Sequence, residues 1–538
     1  LRRLLTEGLG QVDPGAAPEP LPEDLLLRHR LPPLGAALEA LHRPADDADV
    51  EALDRADSPA HRRLVYGELL ELALQVALLR ERETGEEQAF RIRVDDRVRQ
   101  VAREVLPFSR TRAQKRVLRE IVDDMKRPRP MLRLLQGDVG SGKTVVAALA
   151  LVVALESGLQ GAVMAPTELL AEQHFRTLSD LLGGRYRIAL VTGSSTGVRD
   201  LSKGLARGYF HLAVGTHALL EEGVEFERLG LVVIDEQHRF GVAQRQRLAT
   251  KGKPGHRPDV LVMTATPIPR SLALTVYGDL ELSVIDELPP GRRPVETTVL
   301  PATRRRQAVE LLRAELAAGG RAYAVFPLIE ESGQVQAASV EARGEELRRA
   351  FPDVPSAVLT GRMSAAERDR VMASFAAGEV RLLIATTVIE VGVDVPEATL
   401  MWIDSGERFG LAQLHQLRGR IGRGDKPSRC VVLHGPLTPE GEQRLEVFAR
   451  TQDGFEIAEA DLTIRGPGEV LGTRQSGLPT LRIADLVRDR DWLLRARDDA
   501  RELLGRWDHP ELAALRRRIE PRVEARIAGG LEGWVHGA

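Results

Sequence analysis

The run LRLLQGDVGSGKTVVAALALVVALESG, residues 132–158, decides how the rest of the chain is read. Its centre, GDVGSGKT at 137–144, fits the pattern G-x-x-x-x-G-K-[ST]. An apolar run precedes it and a helical run follows, which is the strand–loop–helix setting a phosphate-binding loop requires. Gly137, Gly140 and Gly142, with Asp138, Val139 and Ser141 between them, form a loop whose backbone amides can turn inward around phosphate oxygens. The amino terminus of the next helix adds positive potential. Lys143 is then placed to reach the β and γ phosphates and Thr144 to ligate magnesium. ATP and magnesium are the expected cofactors.

Working outward, LVVIDEQH at 231–238 is an apolar strand ending in two carboxylates. Asp235 is expected to hold the metal and Glu236 to face the water that attacks the γ phosphate. In QLRGRIGRG, 416–424, Arg420 and Arg423 lie three apart, on one face if the stretch is helical. From there they could reach across a cleft as planar donors to the charge developing on the γ phosphate. Taken alone, this stretch reads equally well as a solvated arginine-rich helix.

Short apolar runs alternate with helical patterns on both sides of these motifs. MLRLLQG, GAVMAP, IALVTG, LAVGT, LVVID and LVMTATP come first. AYAVFPLI, SAVLTG, VRLLIATT, ATLMWID and CVVLHG follow the proline-rich hinge ELPPGRRP (287–294). Strands apolar on both faces and separated by helices indicate an α/β fold with parallel sheets covered on both sides. Two such lobes in tandem are expected.

The chain has 538 residues, enough for roughly three to four domains of about 150 residues. No apolar run reaches the roughly 18 residues a membrane span needs. A net charge of −3 supplies no bulk basic field, so nucleic-acid contact would have to come from local arginine-lined surfaces. The single cysteine, Cys430, lies in the apolar run SRCVVLHG and reads as a buried strand thiol. Residues 1 to about 35 hold six prolines and are expected to form a surface linker without long helices. The acidic stretch 44–57 reads as a solvated connection and residues 62–82 as an amphipathic helix. Beyond about 490 the pattern is that of helices with charged faces, a solvated cap. The first residue is Leu1, without a secretion signal, which suggests an amino end cut short.

In this order the motifs resemble the helicases and translocases of superfamily 2. Their wording is similar to the RecG family of bacterial ATP-dependent DNA helicases, in LPFSRTRAQ (106–114), MAPTELLAEQHF (164–175), VVIDEQHRFG (232–241), MTATPIPRSLALTVYGDL (263–280), ATTVIEVGVDVP (385–396) and ERFGLAQLHQLRGRIGRG (407–424). The resemblance implies two RecA-like lobes, at 101–290 and 291–440, after a linker and helical region at 1–100. It implies that Gln114 contacts adenine, that Gln416, Gly392 and Asp394 line the nucleotide cleft, and that Thr264 and Thr266 relay between nucleotide and DNA. DGFEIAEADLTIRGPGEVLGTRQSG, 453–477, resembles the translocation motif shared with the transcription-repair coupling factor. There a helical hairpin and a loop within 441–538 tie lobe movement to duplex DNA. Arg444 falls in that hairpin, and Arg465 and Gln475 are the positions that would lock it to the motor. The glycines suit a loop that folds closely.

Two further implications follow from the resemblance. The family opens with an OB-type wedge that engages branched DNA; this chain begins in what resembles the linker after it, which leaves fork and junction specificity open. Substrates would be duplex and branched DNA, with single-strand-binding protein a candidate partner, a monomeric state, no membrane, and a place in the bacterial cytoplasm at the nucleoid. A coupling-factor-like translocase acting on RNA polymerase, or an ATP-dependent DNA-binding switch that does not translocate, are the alternative readings.

Overall fold

Proline starts the first helices of this computed structural model, which describes residues 17–84, 89–106, 108–193, 195, 197–221, 223–235, 251, 255–264, 269, 280–289, 293–327, 343–360, 363–386, 395–424, 426–465, 481–486 and 488–528. Helices Glu23–His29 and Leu34–His42 begin directly after Pro22 and Pro33. A proline there costs no hydrogen bond, because the first amides of a helix have no internal partner. The segment is therefore not the surface linker its proline density suggests: Leu21, Leu25 and Leu31 are buried. The acidic stretch that follows is mostly exposed, with one short helix, Val50–Asp54. The long helix α1, Pro59–Thr84, comes next.

The described residues divide into two units, one within 87–269 and 281–466, the other within 1–86, 270–280 and 467–538. In the first, α2 (Arg112–Met125) leads into strand β1 (Leu132–Gly137), and the phosphate loop leads into α3 (Lys143–Glu156). Val146 to Leu155 of α3 are all buried, as expected of a helix apolar on every side and packed within a core. After β2 (Gln160–Met164) and α4 (Glu168–Leu182), the strands β3 (Ile188–Val191), β4 (Leu212–Gly215), β5 (Leu229–Asp235), β6 (Asp259–Thr264) and β7 (Glu281–Ile285) complete a seven-stranded sheet. Its order is β3-β4-β2-β5-β6-β1-β7 and every pairing is parallel.

A second sheet contains β8 (Val295–Pro301), β9 (Arg321–Phe326), β10 (Ser356–Leu359), β11 (Leu382–Thr386), β12 (Ala398–Ile403) and β13 (Ser428–His434). They pair in parallel in the order β10-β11-β9-β12-β13-β8. The burial of central strands on both faces, complete in β12, explains their unbroken apolar runs. Cys430 is a buried free thiol in β13. The short helix α5 (Leu411–Arg418) follows β12, and the hairpin helices α6 (Pro439–Arg450) and α7 (Gly454–Arg465) follow β13.

In the other unit, α8 (Arg490–Leu504) and α9 (Ala513–Ala528) pack on α1. Leu493, Ala496 and Leu503 of α8 are buried, so this helix covers α1 with one face and meets solvent with the other. A buried carboxylate joins the ends of the chain: Asp499 accepts from Tyr66 Oη at 2.7 Å and Arg28 Nη1 at 2.6 Å, and lies 2.6 Å from His29 Nε2. Three partners satisfy a charge that would be costly to bury alone. Glu68 of α1 accepts from three successive backbone amides, Arg482 at 2.6 Å, Ile483 at 3.0 Å and Ala484 at 2.9 Å.

Candidate nucleotide site and its link to the second lobe

Strand register places the first-lobe motifs side by side. Asp235 is opposite Met263, and Thr264 is opposite Gln136, so β5, β6 and β1 end together at their carboxyl edge. In parallel sheets that edge is where ligands bind. The phosphate loop leaves it directly: Gly140 and Gly142 take φ of 76° and 88°, values that side-chain-bearing residues rarely adopt. Lys143 Nζ donates to the carbonyls of Gly137 at 2.8 Å and Asp138 at 3.0 Å, which holds the ammonium within the curve of the loop. Thr144 follows in the first turn of α3.

Gln114 is tied to this loop. Thr111 and Gln114 form a reciprocal capping box at the start of α2, and the Gln114 amide also donates to Ser141 O at 2.9 Å. A side chain at Gly142 would collide with that amide, so Gly142 answers a close approach as well as a turn. Asp235 Oδ2 is 2.7 Å from His174 Nε2 on α4. A carboxylate held this way is oriented before any metal arrives. Thr144 and Asp235 supply the hard oxygen donors that magnesium prefers. Thr264 is buried at the end of β6. Glu236, Thr266, Gly392, Asp394 and Gln475 lie outside the described residues.

The second lobe touches the loop through α5. His415 Nε2 is 2.6 Å from Asp138 Oδ1, while the same carboxylate oxygen accepts from Val139 N at 2.6 Å. A Cβ on Gly419 would lie 3.0 Å from Val139 Cβ, so backbone packs directly on the phosphate loop. Gln416 is half-buried on α5. The conditional reading of Arg420 and Arg423 as sharing a helical face does not hold, because α5 ends at Arg418 and Gly422 takes φ of 72°. A turn carries both arginines instead, and Arg423 Nε donates back to Gly419 O at 3.0 Å.

The other end of α5 meets the hairpin. Arg444 of α6 donates to Phe409 O at 3.4 Å, and Arg465 of α7 lies 3.1 Å from Asp461 Oδ1 and against Gly410. Burial pushes the Asp461 carboxyl above the usual range, opposed by Arg465, Arg444 and the Leu411 amide. Four residues of this arrangement carried no signal in spacing or composition: His174, His415, Arg418 and Asp461. All four lie inside quoted strings, but His174, His415 and Arg418 find partners that are remote in sequence.

Residues 111–275 match the DEAD/DEAH box helicase model, 306–425 the helicase conserved C-terminal domain, and 451–527 the model described as ATP-dependent DNA helicase RecG, domain 3, C-terminal. An ATP-dependent DNA helicase RecG of Escherichia coli is 47% identical over 545 residues, covering 99% of this chain and 75% of that protein. The chain belongs to the RecG family. A RecG of Bacillus subtilis is 45% identical, with 96% and 75% covered. Against a RecG of Synechocystis the identity is 45%, and the chain spans 61% of that relative's length. A solved structure of RecG bound to a three-way DNA junction has a TM-score of 0.68 and 40% identity, with 92% of this chain and 64% of that one covered. The two sheets are thus RecA-like lobes of the superfamily 2 type.

Proposed function

We propose that this chain is the ATP-driven motor of a RecG-type helicase, translocating on duplex DNA and unwinding or reversing branched DNA in recombination and repair. One observation carries the reading: the second lobe's α5 and the turn after it sit on the phosphate loop, through Asp138–His415 and Val139–Gly419. A loop contacted by both lobes makes closure and chemistry interdependent, which is how hydrolysis becomes movement. The loop amides and Lys143 would hold the phosphates, Gln114 the adenine, and Glu236 would orient the attacking water. Thr144 and Asp235 would hold magnesium, which would neutralise phosphate charge when bound. Arg420 and Arg423, which follow Gly419 in the chain, would complement charge on the γ phosphate.

The RecG relatives and the junction-bound structure support branched DNA as the substrate. Backbone phosphates would supply sequence-independent, salt-sensitive grip. The family resemblance supports action as a monomer in the bacterial cytoplasm at the nucleoid, with single-strand-binding protein a candidate partner. Among the described residues no helix is long and apolar enough to cross a membrane. The test is ATP hydrolysis with and without duplex, forked and three-way DNA, alongside strand separation. Stimulation by branched DNA is expected; hydrolysis indifferent to every DNA would remove the motor reading.

A further inference from the structure

His415 is bonded in two directions. Its Nε2 is 2.6 Å from Asp138 Oδ1, and its Nδ1 is 3.3 Å from Arg418 Nη2. A guanidinium can only donate, so Nδ1 accepts and the ring proton sits on Nε2, aimed at the Asp138 carboxylate. Arg418 is itself fixed. Its Nη1 donates to Phe448 O at 2.7 Å and to Thr297 Oγ1 at 3.3 Å, and its guanidinium lies 4.4 Å from the centre of the Phe448 ring. His415, Arg418 and Phe448 are buried. Phe448 belongs to α6, the first hairpin helix, so four residues form a continuous polar line from phosphate loop to hairpin.

The line is built to transmit displacement. Asp138 also accepts from Val139 N, so its carboxylate turns with the backbone of the loop. When the loop tightens around phosphates, His415 must follow or a buried charge-assisted bond must break. Arg418, stacked and bonded to α6, would carry that shift onward. This route is separate from the Arg444, Asp461 and Arg465 contacts, which grip the opposite end of α5.

We propose that His415 is a positioning residue, transmitting the state of the phosphate loop to hairpin helix α6 through Arg418 and so coupling hydrolysis to DNA movement. This rests on the motor reading above. The full chain is assayed on a three-way DNA junction, and the readout is DNA unwound per ATP hydrolysed. His415→Leu keeps the volume without the donor and should lower that ratio about tenfold. His415→Gln, which retains an N–H donor, should recover most of it. Asp138→Ala should lower the ratio similarly, and the double variant His415→Leu/Asp138→Ala should fall no further than either single one. An unchanged ratio in His415→Leu, no recovery in His415→Gln, or additive losses in the double variant would overturn the proposal. Should His415→Leu fail to fold, Asp138→Ala decides alone, with an unchanged ratio again overturning it. Wild-type hydrolysis that ignores DNA would instead sink the motor reading itself.

Discussion

The side-chain amide of Gln114 donates to the carbonyl oxygen of Ser141 at 2.9 Å, so the helix preceding β1 holds the shape of the phosphate loop. Gln114→Glu keeps the acceptor that caps Thr111 but turns the donor toward Ser141 into an oxygen. A buried carbonyl losing its partner costs about 1–3 kcal/mol. The Michaelis constant for ATP should rise about tenfold, and the melting temperature should fall by a few degrees. Gln114→Ala should lower the melting temperature further, since the capping box is also lost, at about 1 kcal/mol. Steady-state kinetics and thermal unfolding separate the two effects, and an unaltered Michaelis constant in both variants would refute the link.

Lys143→Ala should reduce ATP hydrolysis to background while the protein still folds. Lys143 Nζ binds two loop carbonyls at a half-buried site, where water can replace it. Hydrolysis and circular dichroism melts check this, and residual turnover close to wild type would exclude the assigned role.

His174→Ala should raise the magnesium needed for half-maximal hydrolysis about 10- to 100-fold, because the imidazole that orients Asp235 is removed. Binding of manganese with a nucleotide, followed by electron paramagnetic resonance, should weaken in parallel. Equal metal dependence in variant and wild type would show that Asp235 needs no such support.

Asp259 opens β6 and accepts from Met131 N at 2.7 Å. Burial pushes its carboxyl well above the usual range, with Asp124 nearby adding to the shift. The native state therefore keeps a proton that the unfolded chain releases near its ordinary value of about 3.9. This group's contribution to stability falls as pH rises from there through the raised value. Asp259→Asn retains an acceptor for Met131 and has no charge to bury. Its melting temperature should gain on wild type between about pH 5 and pH 8. A constant or reversed difference across that window would contradict the assignment.

Arg465→Ala leaves the half-buried Asp461 without its nearest cation, loosening α7 from the start of α5. Unwinding should fall further than hydrolysis. The same pattern is expected of Gln475→Ala, and equal losses in both activities would argue against a coupling role.

Much of the architecture was legible because parallel strands announce themselves. Runs such as LVVID and ATLMWID are apolar throughout since both faces are covered, and each coincides with a strand. The phosphate loop was equally plain, since glycines at positive φ and a lysine at fixed spacing leave few other readings. Edge strands were harder. β7, ELSVI, is only half-buried and lacks the apolar run, and β8 begins directly after the hinge string. The proline-rich start misled because proline both breaks and begins helices. Bonds such as Asp138–His415 and Tyr66–Asp499 join residues hundreds of positions apart, and no local pattern encodes them.

That last pair has a consequence for how the protein is made. Tyr66 and Asp499 are separated by 433 positions. At about 5–20 residues per second, a ribosome delivers the second roughly 20 to 90 s after the first. Throughout that wait Leu69, Leu70 and Leu74 of α1, all buried in the finished molecule, must do without α8 and α9. The helical unit can thus mature only after both lobes stand complete, which makes it the part most dependent on holding chaperones.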